Sequence, residues 1–190
     1  MSSLIVLGID AGFTATGLTA IELGASGQLS QVIASKCVRT QPTKDKRAVR
    51  VADDDAERCM FLARAIQAFL QGWDPKAVVV ELPHGGAQGA RAIRAMALAT
   101  GVVSAVLANN GYPVEWVTPQ AVKKAAAGRR DASKQAVEQS VRQRFQWPDG
   151  TMPKTAAERE HICDAAGAVM AAEHGALIQA VRQMGRGEAG

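Results

Sequence analysis

The N-terminal stretch Leu4-Ile5-Val6-Leu7-Gly8-Ile9-Asp10-Ala11-Gly12 is a short apolar run that ends in an acid and a turn. Residues 4–9 have the length and continuous apolarity of a buried strand, and Gly12 suits the turn that follows. Residues 14–23 are rich in Thr, Leu and Ile, and residues 31–38 predict a third strand. This part of the chain therefore predicts three strands in an antiparallel meander.

Beyond the meander, the chain alternates helices with strands. Acids at positions 53–55 precede apolar residues at helical spacing, and Gly72 and Pro75 end that helix. Residues 77–80 are a continuous apolar run that ends at Glu81, which indicates a strand covered on both faces. Residues 114–117 predict a fifth strand, and helices are predicted over residues 90–108, 119–127, 132–145 and 155–183. The pattern predicts an α/β fold with a mixed five-stranded sheet flanked by helices.

Composition limits the kind of protein this is. The chain has 190 residues, 47% apolar and 21% charged, which is enough to bury a core and argues against disorder. We expect one domain over residues 1–184 and a flexible Gly-rich tail at residues 185–190. The most apolar stretch, residues 97–108, is about half a membrane span, and the N-terminus lacks a signal peptide, so we expect a soluble, cytoplasmic protein. Cys37, Cys59 and Cys163 form no C-x-x-C pair and predict buried thiols, not a disulfide or zinc site.

The positive charge of the chain is clustered. The formal net charge is +4, and between residues 120 and 145 only Asp131 and Glu138 oppose a run of basic residues. That run consists of Lys123, Lys124, Arg129, Arg130, Lys134, Arg142 and Arg144. A second run, over residues 39–50, contains five basic residues and one acid. Either run is consistent with a solvated surface or with a nucleic-acid contact.

Three places in the chain carry candidate metal ligands. Asp10 and Glu81 each close an apolar strand, where an unpaired charge is costly to bury. His161 and Asp164 lie three residues apart and share one helix face. Carboxylates of this kind suit a pair of Mg²⁺ ions that act on a phosphodiester. The alternatives are a turn acid or an ATPase phosphate-loop acid for Asp10, and ordinary ion pairs for the other residues, such as Glu81 with Arg91 or Arg94.

These stretches resemble the RuvC family of Holliday-junction resolvases, within the RNase H-like nuclease superfamily. The resemblance rests on Leu7-Gly8-Ile9-Asp10-Ala11-Gly12 with Thr16-Gly17-Leu18, on Val79-Val80-Glu81, and on His161-Ile162-Cys163-Asp164-Ala165-Ala166-Gly167-Ala168. Their order and spacing also fit, and the similarity covers about residues 4–175. The fold that the resemblance implies is an RNase H-like mixed sheet flanked by helices.

The resemblance also implies an activity: a homodimeric, Mg²⁺-dependent endonuclease that nicks a four-way DNA junction symmetrically. Asp10 would bridge two metal ions, Glu81 would hold one, and Asp164 with His161 the other. Because family members carry either an acid or a histidine at the position of His161, Mn²⁺ is an alternative to Mg²⁺. The basic residues implied to contact DNA are Lys123 and Lys134, with Lys124, Arg129 and Arg130 in the same cluster. Alternative functions are a nuclease for flaps, forks or RNA–DNA hybrids, and a non-cleaving nucleotide- or junction-binding module.

Two segments depart from the family pattern. Related bacterial enzymes carry a base-probing aromatic residue in the loop after the Glu81 strand, whereas residues 82–89 contain none. His84 or the glycine backbone is the remaining candidate for a DNA contact there. The connection over residues 42–55 is longer and basic, which suits an added DNA contact or a surface loop. The helix over residues 90–108 lies in the dimer interface in the family, and core packing is the alternative.

Overall fold

The computed structural model describes residues 4–24, 27–43, 50–82 and 89–187. Its five strands are β1 (Leu4–Asp10), β2 (Ala15–Leu23), β3 (Leu29–Arg39), β4 (Ala77–Glu81) and β5 (Val114–Val117). Its six helices are α1 (Val51–Trp73), α2 (Ala90–Asn110), α3 (Pro119–Ala127), α4 (Lys134–Arg144), α5 (Ala156–Ala171) and α6 (Ala176–Gly187).

The strands form one mixed sheet in the order β3-β2-β1-β4-β5. Strands β1, β2 and β3 pair antiparallel, whereas β4 pairs parallel with both β1 and β5. The predicted meander and the predicted five-stranded mixed sheet are therefore confirmed. The parallel strands bring the ends of β1 and β4 to the same edge of the sheet.

Each face of the sheet is covered by helices. On one face, residues such as Val6 and Val79 pack against α3, α4, α5 and α6. On the other face, Leu7, Ile9 and Val80 pack against α1 and α2. Because side chains alternate along a strand, Asp10 and Glu81 fall on the same face as Val6 and Val79, which is the α5 face.

Helix α5 lies directly on the backbone of β1 and β2. A Cβ atom at Gly8 would overlap the carbonyl oxygen of Ala165, and one at Gly17 would overlap that of His161. The strand glycines therefore allow this approach. Gly167 instead faces α3, where an added Cβ would lie 2.7 Å from Cγ1 of Val122.

The predicted single helix over residues 155–183 is wrong, because it divides into α5 and α6. The break at residues 172–175 is held by tertiary contacts. The Glu173 carboxylate accepts hydrogen bonds from Arg144 and Arg182, at 2.7 and 3.4 Å. A Cβ at Gly175 would lie 2.8 Å from the Glu115 carboxylate, so this turn approaches β5 closely.

Two smaller predictions also need correction. The tail was predicted to begin at residue 185, but α6 continues to Gly187, and residues 188–190 lie outside the described residues. Of the three thiols, only Cys163 is buried, while Cys37 and Cys59 are half-buried. Cys59 lies on α1, where the helix is covered on one side only.

The prediction that the most apolar segment, residues 97–108, is only about half as long as a membrane span is also wrong. The helix around that stretch is α2, which has 21 residues, and its most apolar 18-residue window has a mean hydropathy of 1.5. Among the helices of the described ranges, it alone has the length and apolarity of a span. Only 22% of its most apolar window is buried within the chain. Its buried residues are Ala99, Val103, Val106 and Leu107, and the others are partly or fully exposed.

Candidate active site

Two carboxylates meet at the sheet edge where β1 and β4 end. Asp10 is the last residue of β1, Glu81 is the last residue of β4, and the two are register partners across the parallel ladder. Neighbouring strands lie about 4.8 Å apart, and both side chains point to the α5 face. The apolar run before each acid fixes this arrangement, because it is buried over residues 5–9 of β1 and residues 77–80 of β4.

Helix α5 adds His161 and Asp164 to this edge. The helix begins after Thr155, whose hydroxyl accepts a hydrogen bond from the N–H of Glu158 at 3.3 Å, a standard N-cap. His161 Nδ1 lies 2.7 Å from Asp10 Oδ2. Asp164 is close enough to raise the pKa of Glu81. The four residues predicted from the sequence therefore come together at one edge of the sheet.

The carboxylates of this cluster repel one another in a partly buried site. Burial, then the charges of Asp10 and Asp164, raise the pKa of Glu81 to about 9. Burial and Asp10 likewise raise the pKa of Asp164 to about 7. The hydrogen bond with Asp10 raises the pKa of His161. The site accumulates more negative charge than its own groups neutralise, which favours a cation there.

The residues present fit a divalent metal ion in their chemistry. Glu81 Oε2 is buried and has no hydrogen-bond partner among the described residues, which is costly unless a proton or a cation meets it. Hard cations such as Mg²⁺ prefer carboxylate oxygens. The side chains are not yet arranged to coordinate an ion together. Among the described residues, no group of three or more acids, cysteines or histidines has the geometry of a metal site. His161 Nδ1 faces Asp10 instead.

The alternative ion pairs for these acids are absent from the described part of the chain. Arg94, a candidate partner of Glu81, instead binds Asp55 at 2.7 Å. Arg91 is exposed on the first turn of α2 and forms no ion pair with a described residue. His161 is not a surface residue that pairs with Asp164, because its partner is Asp10. Simple strand-end or helix-surface roles therefore do not explain this cluster.

The predicted basic residues divide into two groups. Lys123 and Lys134 lie near the carboxylates, since both lower the pKa of Glu81. The remaining three, Lys124, Arg129 and Arg130, are exposed at the end of α3 and in the turn after it, and Arg129 binds Asp131 at 3.1 Å.

Most of the other residues of the two basic runs form ion pairs or lie outside the described residues, whereas Arg50 is exposed at the start of α1 and forms no ion pair with a described residue. Arg142 binds Glu138 at 3.5 Å, and Arg144 binds Glu173 at 2.7 Å. Arg39 of the second run lies 4.0 Å from Glu158. Residues 44–49 of that run and residues 83–88 of the loop with His84 lie outside the described residues, so their predicted DNA contacts stay predictions.

Sequence reasoning missed Glu160 as a member of this edge. Its carboxylate forms an ion pair with Lys134 Nζ, and it also raises the pKa of Asp164. The only signal in the sequence was its position beside His161. Because Lys134 and Glu160 lie 26 residues apart, their pairing depends on how α4 packs against α5.

Comparison with known proteins identifies the family of this chain. A family model described as crossover junction endodeoxyribonuclease RuvC matches residues 6–165. A protein of that name from Salinispora arenicola is 31% identical over 154 residues, which cover 80% of this chain and 81% of the relative.

Solved structures of RuvC proteins are also similar to this chain. The Thermus thermophilus RuvC structure is similar with a TM-score of 0.68 and 25% identity, covering 90% of this chain and 97% of that one. A second structure, of T. thermophilus RuvC in complex with Holliday junction substrate, has a TM-score of 0.69 and 24% identity, covering 88% and 92%. The expected RNase H-like sheet is thereby confirmed. The chain belongs to the RuvC family of crossover junction endodeoxyribonucleases.

Proposed function

We propose that this protein is a structure-selective DNA endonuclease that resolves four-way (Holliday) junctions by metal-dependent hydrolysis of phosphodiester bonds. One observation carries the proposal: Asp10, Glu81, His161 and Asp164 meet at one edge of the sheet, in a chain of the RuvC family. A relative of this family has been solved with a Holliday junction as its substrate. The buried, unpaired oxygen of Glu81 supports the metal requirement.

The four residues would hold two divalent cations, Mg²⁺ or Mn²⁺. Asp10 adjoins both Glu81 and His161. It would serve both ions, Glu81 would hold one, and Asp164 with His161 the other. When bound, such ions stabilise the attacking and leaving oxygens of an in-line displacement. In the tautomer that donates Nδ1–H to Asp10, the ring of His161 is oriented and Nε2 would be the atom that binds a cation.

The lysines beside the carboxylates suit the substrate. Lys123 and Lys134 each oppose the negative charge of the site, and a phosphate of the DNA strand would meet both charges there. Lys124, Arg129 and Arg130 extend the positive surface along α3 and the turn after it, where they would neutralise further phosphates. Binding is then strongly dependent on salt.

A homodimer is part of this proposal. The outward face of α2 carries Ile93, Ala97, Gly101, Ala105 and Ala108, all exposed and spaced along one side of the helix. Small residues at this spacing let a second helix approach closely. Two copies related by a two-fold axis would match the two symmetric nicks of a four-way junction. Contact of this face with a second copy would account for the apolar character of α2. We propose that the protein acts on DNA in the cytoplasm.

The test is a cleavage assay with a labelled synthetic four-way junction. Linear duplex, flap, fork and RNA–DNA hybrid serve as parallel substrates, each with Mg²⁺, Mn²⁺ or a chelator. We expect paired symmetric nicks on the junction alone, only with metal. Metal-dependent cleavage of the other substrates in preference to the junction contradicts junction resolution. Binding without cleavage under every metal condition contradicts the nuclease itself.

A further inference from the structure

A separate pocket lies on the α1 and α2 side of the sheet. It has a volume of about 450 Å³ and lies between the first turns of those two helices and the turn after β1. We call it the Arg58 pocket, and its lining includes Phe13, Val51, Arg58, Arg91, Arg94 and Leu98. Its described lining residues include none of the four residues of the carboxylate site, which are Asp10, Glu81, His161 and Asp164. Its combination of apolar side chains and arginines needs an explanation of its own.

Arg58 is buried with an unused donor at this pocket. Its side chain is only 10% exposed, and its guanidinium carbon lies 4.2 Å from the centre of the Phe13 ring. Nε donates to the Thr40 hydroxyl at 3.1 Å, and Nη1 lies 3.5 Å from Asp55. Nη2 is buried without an acceptor among the described residues. Nη2 is itself closed to solvent, so Arg58 acts on a ligand chiefly through its charge.

The pocket has a surplus of positive charge. Three arginines, Arg58, Arg91 and Arg94, face two acids, Asp54 and Asp55. Asp55 binds Arg94 at 2.7 Å and also contacts Arg58, so the two acids offset two of the arginines. Arg91 has no ion pair with a described residue. One anionic group would therefore balance the charge of a pocket with an otherwise largely apolar lining.

Two helices begin at this pocket without side-chain caps. The residues before α1 and α2 are Arg50 and Gly89, and neither provides a capping hydrogen bond from its side chain. The first turn of α1 contains acids that offset its positive end, whereas the first turn of α2 contains none. The free N–H groups and the dipole of α2 favour an anion beside Arg91 and Arg94.

The pocket is close to the catalytic edge. Phe13 follows Asp10 by three residues, so their Cα atoms lie at most about 11 Å apart. One strand of duplex DNA rises about 3.4 Å per nucleotide. A strand with its scissile phosphate at Asp10 therefore has another phosphate within reach of the pocket.

We propose that the Arg58 pocket binds one nucleotide of the cleaved DNA strand, about two to four nucleotides from the scissile phosphate. Its phosphate contacts Arg91, Arg94 and the N-terminus of α2. Its sugar and base lie against the apolar side chains of Phe13, Val51 and Leu98. This proposal rests on the proposed function, because it assigns a further part of the same substrate.

The test is a chemical double-mutant cycle on junction binding. Four-way junctions carry one neutral methylphosphonate at successive positions from the cleavage site, and affinity is measured in chelator with the full chain. We expect one position, about two to four nucleotides away, to weaken binding by the wild type about tenfold. The variant Arg91→Ala/Arg94→Ala should bind the unmodified junction about tenfold more weakly and lose nothing more at that position.

The matched control removes two positive charges elsewhere. Arg64→Ala/Lys76→Ala affects an exposed site on α1 and the opposite end of the sheet, and it should keep the wild-type response to each methylphosphonate. The single variant Arg91→Ala breaks no ion pair with a described residue, so it repeats the test should the double variant fold poorly. The proposal is overturned when the methylphosphonate weakens binding by the arginine variant as much as binding by the wild type at every position. It is also overturned when the control variant loses the wild-type response to the methylphosphonate. A wild type that neither cleaves nor prefers the junction overturns the proposed function itself.

Discussion

His161 Nδ1 lies 2.7 Å from Asp10 Oδ2, and this contact joins α5 to the end of β1. It links two of the three parts of the chain that carry candidate ligands, and its two residues are 151 positions apart in the sequence. The contact also raises the pKa of His161, since the carboxylate favours the protonated ring. A cation at this site competes with that proton, so the metal preference depends on the residue at this position.

Replacing His161 with an acid should change that preference. Imidazole suits Mn²⁺ at least as well as Mg²⁺, whereas a carboxylate suits Mg²⁺. We expect His161→Asp to cleave junctions and to raise the ratio of the Mg²⁺ rate to the Mn²⁺ rate by about tenfold. His174→Asp, at an exposed position outside the site, should leave the ratio unchanged. An equal ratio in His161→Asp and the wild type would show that this side chain does not bind the metal.

The pH dependence of stability without metal should reveal the strain at Glu81. Its pKa is about 9 in the folded protein and about 4.5 in the unfolded chain, so the folded state holds an extra proton between these values. Stability therefore falls as pH rises through this window. Glu81→Gln should be more stable than the wild type by about 2 kcal/mol at pH 8 and equal to it near pH 4.

This difference is measured by urea unfolding of both proteins in chelator. The difference between the two proteins isolates Glu81 from the other titrating groups. A difference in the free energy of unfolding that stays constant from pH 4 to pH 8 would contradict the raised pKa of Glu81. A wild type that becomes more stable relative to Glu81→Gln as pH rises would also contradict it. Adding Mg²⁺ at pH 8 should stabilise the wild type more than the variant, which keeps Asp10, Asp164 and His161 but lacks the Glu81 carboxylate.

The close approach of α5 to the sheet should be sensitive to one methyl group. Gly17→Ala places a Cβ against the carbonyl oxygen of His161, and backbone on both sides cannot yield easily. We expect a loss of about 3 kcal/mol in the free energy of unfolding, together with loss of cleavage. Gly72→Ala on α1 has nothing within 4 Å of the added atom and should stabilise by about 0.5 kcal/mol. Chemical unfolding that ranks the two substitutions in the opposite order contradicts the packing.

Lys134 should contribute to the salt dependence of DNA binding. Its ammonium lies beside the carboxylate site and pairs with Glu160. The phosphate of a bound strand would replace Glu160 as the partner of this ammonium. Lys134→Ala should reduce the slope of log affinity against log salt by about 0.9. Lys76→Ala, at the opposite end of β4, should keep the wild-type slope. Equal slopes in all three proteins would place Lys134 outside the DNA interface.

The outward face of α2 should set the oligomeric state. Gly101 is exposed at the middle of that face, and an added side chain there meets nothing within the same chain. Gly101→Glu should convert a dimer into a monomer of 19.9 kDa, measured by light scattering after size-exclusion chromatography. Gly72→Glu on α1 should remain a dimer. A wild type that is already monomeric at micromolar concentration contradicts the proposed interface.

The sequence predicts the strands and the acids that end them because these signals are local. An apolar run that closes on Asp10 or Glu81 is visible in a few residues, and so is the three-residue spacing of His161 and Asp164. Features that depend on contacts between distant parts of the chain cannot be predicted from such local signals. The break between α5 and α6 includes Gly175, a weak helix former, but its position is defined by tertiary contacts with Glu115 and Arg144 that the sequence does not reveal.

The same limit applies to the site. That Asp10 and Glu81 are register partners depends on the pairing of distant strands, and the ion pair of Lys134 with Glu160 depends on helix packing. The Arg58 pocket combines α1, α2 and the turn after β1. Its arginines are scattered in the sequence and carry no common motif, so only the folded chain shows them together.

Asp10→Asn tests most directly whether the carboxylate site at the ends of β1 and β4 cleaves four-way junctions. The substitution keeps the shape of the side chain and removes the charge shared by the site. We expect the variant to bind a labelled junction as tightly as the wild type and to cleave it at least about a thousandfold more slowly in Mg²⁺. Cleavage by purified Asp10→Asn at the parental rate, with contaminating nucleases excluded, would contradict the assigned site.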